Sequence, residues 1–269
     1  MKRNASIISA SYFAFFVLMI FSGTLSGVLS NSVYYLAYLV PVFLVLLLLR
    51  GEKIRKEDFT LSKDGARLSL PLVFPTVLAV MLLSIITSFL IFLVSGKTSS
   101  VNIGDNVLLA LLNHALAPAV LEELLFRYLP FKYIAPHSRR YCVFFSAVTF
   151  ALVHHSFFSI PYALFAGCVF MTLDLLSESV LPSVIVHFVN NAVSVLWTLY
   201  FPGKTGSVIV ISAVAALALV SLIIAFLMRS EYTRRLKRIF SEKSSFPIPL
   251  SLICLGALTL LAAIFELVF

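Results

Sequence analysis

The sequence predicts an all-α protein that spans a membrane many times: a polytopic helical bundle of about eight to nine spans, N-terminus cytoplasmic, forming a single domain over residues 1–269. Three observations predict it. Of 269 residues, 61% are hydrophobic and only 12% charged, and the mean hydropathy is +1.05, more apolar surface than a water-soluble domain can bury. The apolar residues gather into runs of about span length. The basic residues fall in alternate loops. Lipid leaves an open backbone unsatisfied, so the runs are read as helices, and the absence of alternating ten-residue strands argues against a barrel.

The runs lie near 7–29, 33–49, 70–94, 105–131, 140–155, 159–176, 180–200, 207–228 and 247–268. The first follows Met1-Lys2-Arg3, the outline of a signal peptide. It is too long for one and lacks an A-x-A site, so it is kept as a span. Residues 50–69 are mixed and charged, which suits a loop or short amphipathic helix on the membrane surface. The fifth and sixth runs are short for a bilayer. Pro41, Pro71, Pro75, Pro130, Pro161, Pro182, Pro247 and Pro249 are placed mostly near span ends, where a missing N–H is tolerated. The basic stretch Arg229–Lys243 suits contact with anionic lipid.

Nine alternating spans with the N-terminus inside put four clusters on the cytoplasmic face: Lys2 and Arg3; Arg50 to Arg67; Lys132, Arg139 and Arg140; and Arg229 to Lys243. These hold seventeen of the 20 Lys and Arg residues, and the outside loops hold only Lys97 and Lys204. The same bias accounts for the net charge of +8 without nucleic acid as a partner. Cys142, Cys168 and Cys254 sit in apolar runs without CxxC spacing and read as small core residues.

The polar residues inside the runs carry the chemistry. Glu122, Glu123 and Arg127 lie in the fourth run. Each ionised group at a helix centre costs roughly 2.5–3.5 kcal/mol, so such groups face a protein interior or a wet cavity and usually serve a function. In an α-helix, residues four apart share a face and residues five apart do not. Glu123 can therefore pair with Arg127, while Glu122 points elsewhere and is the candidate general base. Phe150 and His154 repeat the four-residue spacing in the fifth run, and His187 and Asn191 in the seventh. Counted from the cytoplasmic flanks, Glu122, His154, His187 and Asn191 lie roughly 15, 21, 12 and 18 Å deep, overlapping levels once tilt is allowed. A Glu and a His can activate water, and a His with an Asn can stabilise an oxyanion. Together they suit hydrolysis of an amide inside the membrane without a Ser or Cys nucleophile.

At these residues the chain resembles the CAAX-protease and bacteriocin-processing membrane proteins (the CPBP or Abi family), which include the type II CAAX prenyl endopeptidases. The family pattern E-E-x-x-x-R, F-x-x-x-H and H-x-x-x-N is matched by Glu122-Glu123 with Arg127, by Phe150 with His154, and by His187 with Asn191. The resemblance covers roughly residues 105–200. It implies an intramembrane endopeptidase of the glutamate type acting on a membrane-associated or lipidated peptide or protein, of CAAX or bacteriocin and pheromone kind. It implies that Glu122 and His154 activate water, that His187 and Asn191 form the oxyanion site, and that Glu123 and Arg127 order the site or hold substrate. It further implies a site open to the cytoplasm; a cell-membrane location and no required cofactor are expected, although older descriptions call such enzymes metalloproteases. Tyr128 stands where many relatives have Gly, and the last span exceeds the eight-helix plan of the better-known enzymes.

Two other readings compete. Zinc held by Glu122, His154 and His187 with an open water position would also hydrolyse amides, although no H-E-x-x-H spacing is present. A non-enzymatic scaffold that regulates a membrane partner would use the same residues as interhelical glue. His155 and Asn190 are read as polar neighbours turned away from the site, and His114 as a packing or cavity-lining residue. Asp174, Glu178 and Glu266 are read as solvated charges near span ends.

Overall fold

The computed structural model describes residues 1–49, 54–95, 106–154, 159–200, 205–241 and 246–268. The described elements are helices, with no strand among them. In chain order they are α1 (Lys2–Gly23), α2 (Gly27–Leu48), a 3₁₀ turn (Lys56–Phe59), α3 (Lys63–Ser95), α4 (Val107–Leu111), α5 (Ala117–Glu123), α6 (Leu129–Tyr133), α7 (Arg139–Leu152), α8 (Ser159–Ser177), α9 (Leu181–Tyr200), α10 (Thr205–Leu227), α11 (Arg229–Phe240) and α12 (Leu250–Val268). Two π-helical turns, Leu112–Leu116 and Leu124–Tyr128, join α4, α5 and α6 into one long helical run.

Among the described residues, six helical segments are long and apolar enough to cross a membrane, or seven if the pair Ser212–Leu227 and Arg229–Phe240, bent by 79°, counts as one span. α7 has 14 residues, and Leu250–Ala263 is likewise a shorter apolar helix. The all-α, multi-span class is as the composition predicts. Element boundaries differ in instructive ways. The charged stretch assigned to the membrane surface feeds directly into the third span, because α3 begins at Lys63 and runs for 33 residues. Pro41 lies inside α2, and Pro71 and Pro75 lie inside α3, away from the span ends where the sequence placed them. His155 falls outside the described residues, and the side chain of Glu266 is likewise not described.

The chain forms two compact units. The first comprises residues 1–55, 124–171 and 241–269; the second comprises 56–123 and 172–240. In the first, an aromatic core is built from four segments. Tyr12 packs on Phe126 with ring centroids 4.9 Å apart, Phe15 on Tyr38 at 4.8 Å, and Phe126 edge-on to Phe150 at 5.6 Å. Such pairs contribute about 0.5–1.5 kcal/mol each beyond burial. Gly167 on α8 lets that helix approach α7, since a Cβ there would lie 2.7 Å from Ala147 Cα. α12 is tied in by hydroxyls: Thr259 Oγ1 donates to Leu152 O at 2.7 Å, and Ser9 and Ser251 hydrogen-bond to each other.

The second unit centres on α9, which packs against α3, α4 and α5. Asp174 near the end of α8 is fully buried, not solvated as the sequence suggested. Its Oδ1 accepts from Ser183 N at 3.0 Å, in the first turn of α9. A carboxylate there satisfies an orphan donor and meets the positive end of the helix dipole. The turn between α8 and α9 passes through Glu178, exposed as expected and at φ 57°. Val180 N donates to Asp58 O at 2.9 Å, so the 3₁₀ turn braces the start of α9. Gly65 belongs to the same brace: a Cβ would lie 2.6 Å from Ser177 O.

Candidate active site

The first motif sits on a helix that two prolines reshape. Proline lacks an N–H and its ring presses on the carbonyl four residues earlier. For Pro118 that carbonyl belongs to His114, and for Pro130 to Phe126. Each of these residues lies within a π-turn. Widening the helix to i→i+5 bonding relieves the clash, and such single π-turns gather at functional sites. The carbonyls freed in the second turn are taken up by side chains: Ser146 Oγ donates to Phe126 O at 2.7 Å, and Tyr12 Oη to Leu125 O at 2.9 Å. The seven-residue α5 is thus held between two irregular turns, with Glu122 and Glu123 at its C-terminal end. The four-versus-five rule that turned Glu122 away from Arg127 applies to a regular α-helix and does not carry through Leu124–Tyr128. His114 lies on the first π-turn and is exposed.

Packing of α5 on α9 brings the acidic pair to the third motif. His187 Nδ1 donates to Glu123 Oε1 at 2.7 Å. The Glu123 side chain is wholly buried and His187 nearly so. On the other side of the ring, Nε2 lies 3.9 Å from Glu122 Oε2. That is too long for a direct hydrogen bond, and an oxygen seated to one side of the line touches both groups. Glu122 keeps 18% of its side chain exposed. One imidazole therefore stands between two carboxylates: Glu123 holds its Nδ1, and Glu122 faces its Nε2 across 3.9 Å. Residue spacing alone gave Glu123 only Arg127 as a partner.

Asn191 lies one turn beyond His187 on α9 and is partly buried. Asn190, read from the sequence as a bystander, is buried, and its Nδ2 donates to Asn191 Oδ1 at 3.3 Å.

The second motif and Arg127 form a column within the first unit. α7 ends at Leu152, so the carbonyls of its last turn lack helical donors. His154, just beyond the end, folds back and donates from Nδ1 to Phe150 O at 2.8 Å. That is the physical use of the F-x-x-x-H spacing: it fixes the ring through Nδ1. The two rings also pack, with centroids 4.6 Å apart at 69°. Arg127 Cζ lies 4.2 Å from the Phe150 ring centroid and 5.4 Å from that of Phe170. A desolvated cation over an aromatic face is held by about 2 kcal/mol or more. Phe150 thus links a buried guanidinium to the imidazole. Among the described residues, no group of three or more His, Cys, Asp or Glu side chains is arranged to hold a metal ion.

A family model described as type II CAAX prenyl endopeptidase Rce1-like matches residues 104–193. No curated protein and no solved structure matches the chain significantly. The matched third of the chain holds Glu122, Glu123, Arg127, Phe150, His154, His187 and Asn191, together with both π-turns. Residues 104–193, the stretch that carries all three sequence motifs, are thus similar to the type II CAAX prenyl endopeptidase Rce1-like family.

Proposed function

We propose that this protein is an intramembrane endopeptidase that hydrolyses a peptide bond near the C-terminus of a lipidated or membrane-associated peptide or protein. The observation that carries the reading is the His187 imidazole held by Glu123 at 2.7 Å and facing Glu122 at 3.9 Å within an apolar helical unit. The family match supports a peptidase and, by its description, a prenylated substrate. In the proposed reaction Glu122 takes a proton from water, and the water oxygen attacks the scissile carbonyl carbon. The carbonyl oxygen becomes an oxyanion that accepts from Asn191 Nδ2–H and from Nε2–H of a His187 protonated on both ring nitrogens, since its Nδ1–H stays on Glu123. Collapse breaks the C–N bond, and Glu122 returns its proton to the leaving amine. Glu123 holds His187 by Nδ1 throughout. The water-activating role of His154 rests on its place in the family motif, and its bond to Phe150 O supports a ring of fixed orientation. The positive-inside pattern supports a cell-membrane protein whose site is reached from the cytoplasm.

The test uses purified full-length protein in liposomes and an internally quenched peptide ending in a prenylated cysteine and three further residues. Glu122→Ala and His154→Ala should each abolish cleavage while expression and thermal midpoint hold. Full activity in either variant contradicts the mechanism. Stoichiometric zinc in the active protein, with inhibition by chelators, would replace the metal-free version with a zinc hydrolase. Cellular function retained by both alanine variants would favour a scaffold.

A further inference from the structure

Asn190 is a buried carboxamide outside the three motifs, about nine-tenths covered. Successive residues on a helix point about 100° apart and do not ordinarily meet. Here both carboxamides turn toward each other, and Asn190 Nδ2 donates to Asn191 Oδ1 at 3.3 Å. Asn190 Oδ1 is buried and has no protein donor among the described residues. The contact with Asn191 is thus the hydrogen bond this side chain makes there.

A carboxamide has an acceptor end and a donor end. Once its Oδ1 is held by Asn190, Asn191 presents its Nδ2 hydrogens on the opposite side. A growing oxyanion needs those donors. The reversed amide would set oxygen lone pairs against the developing negative charge. The geometry points to Asn190 as a positioning residue that fixes which end of Asn191 faces the reacting carbonyl. This rests on the proposed oxyanion role of Asn191.

Two measurements on the full-length protein test it. Selective ¹⁵N-asparagine labelling reads the pairing directly, whether or not the protein is a peptidase. The Asn191 side-chain amide signals should shift in Asn190→Ala, and unchanged signals overturn the proposal. With the quenched prenyl-peptide, Asn190→Ala should lower kcat roughly threefold to tenfold with KM held, as expected for one neutral hydrogen bond. Asn190→Gln, which keeps the amide, should recover part of that loss. Asn191→Ala should cost more, and the double variant should be no slower than Asn191→Ala alone, because Asn190 acts through Asn191. An additive double variant, or an unchanged kcat in Asn190→Ala, overturns the positioning role alone. Full activity in Asn191→Ala removes the oxyanion reading as well.

Discussion

Glu123 and His187 are 64 residues apart in the chain and 2.7 Å apart in space. Their hydrogen bond is charge-assisted and lies in a buried setting, where such bonds contribute about 1.5–3 kcal/mol. If it orients His187 for catalysis, Glu123→Gln should lower kcat about 10- to 100-fold with little change in KM. Steady-state kinetics beside a thermal melt would check this; a kcat loss matched by loss of fold would point to a structural role instead. The motif residues themselves were legible from spacing along single helices. Their partners were less so, because counting along one helix cannot see which helix packs against it. Spacing along the helix offers Glu123 the guanidinium of Arg127 and cannot show that His187 on α9 reaches it. Asn190 looked turned away because ideal helix angles ignore how side chains bend, and Asp174 looked solvated because its capping of α9 depends on how the chain reverses after α8.

At the level of elements, the fourth span shows how local chemistry shapes a site. Apolar runs revealed the span; they did not reveal its two π-turns. Their trace in the sequence is the pair Pro118 and Pro130, each placed four residues beyond a carbonyl inside a π-turn. Proline reads as a span-end marker until the i−4 clash is considered. Pro118→Ala restores an N–H and removes the ring, so the first π-turn should relax toward α-helix and swing the Glu pair out of register. The expected outcome is lower activity with a thermal midpoint equal to or above wild type. Equal activity would mean that the π-turn does not set the register. Ser146→Ala removes the donor to the Phe126 carbonyl, leaving a buried acceptor unsatisfied at a cost of about 1–3 kcal/mol. Its thermal midpoint should fall.

Across the whole chain, class and membrane character followed from composition because lipid restricts the backbone so severely. The number of crossings was harder to read, since α7 is short and α10 and α11 bend by 79° at their junction. The basic-residue pattern expects Lys2 on the cytoplasmic side and Lys97 outside. In a cysteine-free background, single Lys2→Cys and Lys97→Cys variants should label from opposite faces; labelling from the same face would overturn the assigned topology. The central claim is that Glu122 is the base of a peptidase whose imidazole Glu123 holds in place. Its most direct test is the pair Glu122→Gln and Glu123→Gln, assayed side by side on the quenched prenyl-peptide in liposomes. The account predicts no measurable turnover for Glu122→Gln with peptide binding and thermal midpoint retained, and slow but measurable turnover for Glu123→Gln. Wild-type kcat in Glu122→Gln would contradict it.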